Sequence, residues 1–160
     1  MYPRIETISG KILLGKHLKM SLKENKTVEL WRSFMPLRNR IINPVSSDLF
    51  SLQIYQHIND YMNPESEFVK WAAMEVSDNM EIPQGMDSYY LSGGLYAVFL
   101  HKGGPQNFRE TFHFIFNEWM PVSGYIVDHR EHFELLGEKY KNNEPESEEE
   151  IWIPIKRWES

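Results

Sequence analysis

Apolar and polar residues alternate, then recur at helical spacing, then alternate again, and the chain does this twice. Lys11–Lys19 (KILLGKHLK) sets Ile and Leu before a glycine and predicts a strand. Over Val28–Ile42 the apolar residues are Leu30, Trp31, Phe34, Met35, Leu37, Ile41 and Ile42. That spacing predicts an amphipathic helix, with Thr27 as its N-cap and Pro36 disturbing its later turns. Phe50, Leu52 and Ile54 alternate within a strand over Phe50–Asn59. A turn at Asn63–Ser66 then leads to a second strand over Glu67–Val76.

The pattern restarts after a loop over Asp78–Met86. Ser88–Leu100 predicts one long strand, bent or bulged at Gly93-Gly94. Asn107–Met120 predicts a helix with Phe108, Phe112, Ile115, Phe116 and Trp119 on one face, ended by Ser123-Gly124. Glu131–Gly137 and Glu150–Ile155 are the last two strands. The order is β-α-β-β followed by β-α-β-β. A shift of about 85 residues lays Met35-Pro36 on Met120-Pro121, and Leu30, Trp31 and Phe34 on Ile115, Phe116 and Trp119. The expected fold is therefore α+β: duplicated β-α-β-β units forming an antiparallel sheet, two helices on one side, and a ligand cleft at the junction. The repeats run over about 5–77 and 86–156 of a single 1–160 domain.

Composition narrows the function classes. The chain has 160 residues, long enough for one ordinary core, and no apolar run approaches membrane-spanning length. Met1–Gly10 holds no apolar run behind a basic start, so no signal peptide is expected. Cysteine is absent, which excludes disulfides, thiolate metal sites and cysteine nucleophiles, so a cytoplasmic location is expected. The net charge is −6, and five acids sit at Glu144, Glu146, Glu148, Glu149 and Glu150, expected as a solvated loop. No basic stripe is left to neutralise phosphates, so direct nucleic-acid binding is not expected.

Two motifs fail on their own chemistry. Gly10–His17 nearly spells a phosphate-binding loop, but His17 stands where a Mg²⁺-holding hydroxyl is required. His129 and His132 are three apart at the entry of a strand, where their side chains diverge, and are expected at the surface. No metal and no cofactor are expected. Aromatic residues make up 14% of the chain (9 Phe, 8 Tyr and 5 Trp), and so many rings either fill a core or line a pocket. Trp31, Trp119 and Tyr125 divide between those two roles, as do Tyr55, Tyr90 and Tyr96.

Two stretches carry a resemblance. One is Gly94–Phe99, then Gly103-Gly104, then Phe116–Tyr125 (FNEWMPVSGY); the other is His132-Phe133-Glu134 followed by Glu150–Ile155 (EIWIPI). Together they resemble the GyrI-like effector-binding family, which includes the ligand-binding domains of AraC- and MerR-type multidrug-responsive regulators. The resemblance implies the duplicated fold and a binder of hydrophobic, often cationic, small molecules in an aromatic cleft with a buried carboxylate. Phe133-Glu134 matches that carboxylate at Glu134, Leu136 would line the same wall, and Trp152 matches a frequent pocket aromatic. A cation would offset the cost of burying Glu134, and ring faces would add cation–π attraction.

Relatives of the regulator kind carry a separate DNA-binding domain, and none is expected here. The first expectation is thus stand-alone binding of a hydrophobic, possibly cationic, small molecule. The alternative is a hydrolase of reactive electrophiles with Glu134 as general base. A third is modulation of gyrase or another protein partner, for which no exposed motif speaks. No membrane partner is expected.

Overall fold

A computed structural model describes residues 2–141 and 144–159. Nine strands form one antiparallel system. They are β1 (Arg4–Ile8), β2 (Lys11–Met20), β3 (Leu49–Tyr55), β4 (Phe68–Val76), β5 (Asp87–Leu91), β6 (Gly94–Lys102), β7 (Tyr125–Val127), β8 (His132–Leu136) and β9 (Glu148–Arg157). The order across the sheet is β1-β6-β9-β8-β3-β4-β2-β5, with β7 on β9. It reads as a palindrome about the β8–β3 pair: β8 answers β3, β9 answers β4, β6 answers β2 and β1 answers β5. The expected α+β class, antiparallel sheet and helices on one side are all found. Three strands go beyond the expected six: the short Arg4–Ile8 (RIETI) forms β1 along β6, Tyr125–Val127 forms β7 on β9, and the segment expected as one strand over Ser88–Leu100 divides into β5 and β6.

The largest departure lies at Gly93-Gly94. The expected single strand over Ser88–Leu100 is two, and they sit in opposite halves of the sheet: β5 pairs β2, while β6 pairs β1 and β9. Both glycines have positive φ, 80° and 121°, which only glycine adopts cheaply. A Cβ on Gly93 would lie 2.7 Å from the Ile8 carbonyl oxygen, so the turn also needs the missing side chain.

The helices follow the apolar spacing with local corrections. α1 covers Thr27–Phe34 and tightens to a 3₁₀ segment over Met35–Arg40 at Pro36, whose ring cannot continue an α-helix. Thr27 is the first helical residue rather than the cap. Its N–H is satisfied by the Asn25 carboxamide oxygen at 2.9 Å. The second helix is continuous in three parts: α2 (Phe108–His113), a π segment (Phe114–Trp119) and α3 (Met120–Ser123). Gly124 ends it with φ 82° in the left-handed region.

Strand alternation then divides the interior. On the helix-bearing face, α1 covers Leu14, Met20, Phe68, Ala72 and Met74 with Leu30 and Phe34. The second helix covers Ala97, Phe99, Ile151, Ile153 and Ile155 with Ile115 and Met120. The opposite face has no helix, yet Leu13, Phe50, Leu52, Trp71, Leu91, Tyr96, Val98, Phe133 and Trp152 form one buried cluster. Residues from seven strands meet there because the sheet curls over them. A polar knot closes the curl: Tyr89 and Ser92 donate to the Glu131 carboxylate at 2.8 and 2.9 Å, and Tyr96 donates to the Glu131 carbonyl at 2.8 Å.

Candidate functional site

The two apolar clusters under the helices do not merge. Between them, along the joint of the two halves, the same sheet face is polar. Ser51 of β3 stands opposite Glu134 of β8, and Gln53 stands opposite His132 on one side and Lys70 of β4 on the other. Glu134 pairs onward with Ile151, and two residues earlier on β9 lies Glu149, opposite His101 of β6. Ser51, Gln53, His132 and Glu149 are all buried. A run of buried polar groups through an apolar layer is costly to the fold unless each finds partners.

Partners are few and long. Gln53 donates to the Glu134 carboxylate at 3.5 Å and to the Ser51 carbonyl at 3.3 Å. Lys70 donates to the Thr27 hydroxyl at 3.1 Å, at the start of α1. Among the described residues, no ion pair within 4.0 Å joins Lys70 to a carboxylate, and Glu149 has no hydrogen-bond partner. Glu134 keeps a narrow exposed strip while protein atoms crowd its carboxyl group. Desolvation therefore pushes that group up to about 7, against the opposing pull of Lys70 and the Gln53 hydrogen bond. Desolvation and then the Glu134 charge push Glu149 up to about 8. Burial lowers Lys70, and both glutamates partly restore it.

Aromatic side chains close one end of this polar strip. Tyr55 meets the His132 ring edge-on at 5.0 Å, Tyr61 lies 5.3 Å from His132, and Phe116 of the π segment lies 4.8 Å from Tyr61. Tyr61 comes from the β3–β4 connection and so bridges the two helical halves. Desolvation pushes His132 down to about 3, aided by Arg130, so it is a neutral ring at physiological pH. A depression of about 180 Å³ opens beside this end and is lined by Ile54, Tyr55, Tyr89, Ser92, His129, Arg130 and Glu131. Another, of about 330 Å³, lies apart at Lys16, His17, Glu29 and Asp87. Glu134 lines neither of them.

The residues expected from the sequence fall in different places. Glu134, Leu136 and Tyr55 share the helix-bearing face along the joint. Trp152 does not: it pairs with Phe133, so the register turns it to the opposite face, where it stacks on Phe133 at 5.1 Å. Tyr96 is on that face too, its ring under the Arg130 guanidinium at 4.7 Å. Tyr90 lies on edge strand β5 and is 63% exposed. Trp31 sits on α1, edge-on to Phe34, and Trp119 packs between Phe99 and Tyr125. Three participants were not anticipated. Lys70 is a charged residue in step with Phe68, Ala72 and Met74. His132, expected at the surface, is buried. Glu149, expected in a solvated loop, lies 7% exposed within β9, because the strand starts at Glu148. Among the described residues, no group of His, Asp and Glu could hold a metal ion, and no helix is long and apolar enough to cross a membrane.

Comparison with known proteins gives four findings. The model of the GyrI-like small molecule binding domain matches residues 1–156. The transcriptional regulator BrlR of Pseudomonas aeruginosa is 26% identical over 157 residues, covering 97% of this chain and 56% of BrlR. The chain thus spans just over half of that relative. A DNA gyrase inhibitor of Erwinia billingiae is 28% identical over 109 residues, covering 64% of this chain and 68% of the inhibitor. Among solved structures, that of SAV2435 bound to tetraphenylphosphonium superposes with a TM-score of 0.74 at 14% identity, over 98% of this chain and 94% of that one. This last likeness concerns the fold.

Proposed function

Because the chain belongs to the GyrI-like small-molecule-binding domains, we propose that it binds hydrophobic cations in the trough between its helices, with the Glu134 carboxylate facing the positive charge. The observation that carries this reading is the position of Glu134. It lies at the joint of the two halves, between two apolar clusters, crowded and pushed up to about 7. A carboxyl group held there without a short ion pair is a cost that a cation would offset. Tyr55, Tyr61 and Phe116 supply ring surface next to it, and each ring facing a cation adds about 0.5–2 kcal/mol. A lipophilic cation bound to the related fold of SAV2435 supports the choice of ligand class.

The test is a fluorescence titration of wild type and Glu134→Gln with tetraphenylphosphonium, read through the chain's own tryptophans. Saturable quenching is expected in wild type. The variant should bind at least about tenfold more weakly, since truncating one partner of a desolvated charge pair costs about 2 kcal/mol or more. Equal affinity in the two proteins would remove Glu134 from the site. A carboxyl group near neutrality also suits a general base, so the samples, extended to electrophilic esters, are analysed for products. Turnover that disappears in Glu134→Gln would make the trough a hydrolase site instead.

A further inference from the structure

The polar strip along the joint holds two carboxyl groups and one ammonium group. We infer that Lys70 is the internal counter-ion of this site, occupying the electrostatic place of a ligand cation. This inference rests on the trough being the ligand site.

Three observations point to it. Lys70 and Glu134 lie on the same face of the sheet with Gln53 between them, and Gln53 bonds to Glu134 rather than to Lys70. Lys70 is thus near the carboxylates without touching them, tethered by one neutral hydrogen bond to Thr27. A lysine kept for the fold alone would gain most by closing to a hydrogen-bonded ion pair, since a buried pair repays its desolvation only with close geometry. Glu149 is the second observation: it is 7% exposed, and among the described residues its carboxylate has no hydrogen-bond or ion-pair partner. The third is the charge beside Glu134. Tyr55 and His132 are neutral, because burial raises the first and lowers the second, so Lys70 is the cation that bears on Glu134. A bound cation favours ionisation of the carboxyl groups it faces, and Lys70 competes with it for the same negative charge.

That competition predicts what removing the ammonium does. Without Lys70, the two carboxyl groups lose the internal cation that draws on their charge. A monocation gains attraction, and a dication gains more.

The experiment is isothermal titration of wild type, Lys70→Met and Lys70→Gln with three probes: tetraphenylphosphonium, a lipophilic bis-quaternary dication, and uncharged triphenylphosphine oxide. The glutamine variant keeps a hydrogen-bonding group for Thr27, and far-ultraviolet circular dichroism checks that each variant is folded. In both variants the monocation should bind at least about tenfold tighter, the dication should gain more than the monocation, and the neutral probe should change less than about twofold. Unchanged or weaker cation binding in the folded variants would overturn the role of Lys70 while leaving the trough intact. Wild type that fails to bind tetraphenylphosphonium would instead remove the site itself, and this inference with it.

Discussion

Glu134→Gln should make the fold more stable, and by an amount that depends on pH in a defined direction. In the unfolded chain this carboxyl group ionises near 4.5; in the folded chain it holds its proton up to about 7. Between those values the folded state binds more protons, so stability falls as pH rises, and the full penalty is in place above about 7. At about 1.4 kcal/mol for each tenfold difference in proton affinity, that penalty is about 3 kcal/mol at pH 8 and under about 1 kcal/mol at pH 5. The neutral amide removes it at both. Any cost of fitting the amide beside Gln53 and Ser51 is nearly independent of pH and cancels in the comparison. Glu149 still faces Lys70 in the variant, so the lysine is not stranded. Urea unfolding of both proteins, followed by tryptophan fluorescence, should therefore show a stability gain about 2 kcal/mol larger at pH 8 than at pH 5. An equal difference at the two pH values, or a variant that loses ground at pH 8, would refute the claim that the fold bears a buried carboxylate here. The same substitution is expected to weaken cation binding, so stability and binding should move in opposite directions, as they do where a site is held at the expense of the fold.

Arg130 donates to the carbonyl oxygens of Gly93, Leu95 and Ile155 and to the Asp128 carboxylate, and so fastens the Gly93-Gly94 turn to the last strand. Arg130→Leu leaves those acceptors unpaired and should cost about 3 kcal/mol or more, lowering Tm by at least about 6 °C in a thermal melt; a loss under about 2 °C would contradict the fastening role. Gly15→Ala would place its Cβ 2.0 Å from the Ala72 carbonyl oxygen and 2.7 Å from the Ala73 Cα. Both contacts are backbone, so urea unfolding should show a loss of about 1–3 kcal/mol, and a neutral result would mean β2 and β4 are packed less closely.

Much of the fold was legible because its faces are simple. The run of Phe108, Phe112, Ile115 and Trp119 fixes a helix face, and the repeated aromatic-Met-Pro ends mark the two halves. The exchange of β1 and β5 was not legible, since RIETI is short and half-charged, and a Gly-Gly pair can bulge a strand or break it. At the site, Glu134 came from the resemblance at Phe133-Glu134. Lys70 could have been found from alternation alone, as it stands in step with Phe68, Ala72 and Met74 where an apolar residue is expected. Glu149 could not: inside Glu148-Glu149-Glu150 nothing local tells the buried acid from its neighbours, and only pairing with His101 turns it inward. The same holds for Trp152, whose face is set by the register of β9 on β8.

The first strand of each half is lodged in the other half: β1 lies along β6, and β5 lies along β2. A molecule built this way cannot open as a book does. Spreading the halves at the β3–β8 seam pulls against two crossing straps, one from each side, and both must tear before the gap widens. What spans the two helical halves without such a strap is the β3–β4 connection, where Tyr61 meets Phe116. Cutting the chain between Val76 and Asp87 would leave two pieces, each carrying an outer strand shaped for its counterpart, so that either alone presents an unfilled edge and the pair reassembles as a lock with two keys.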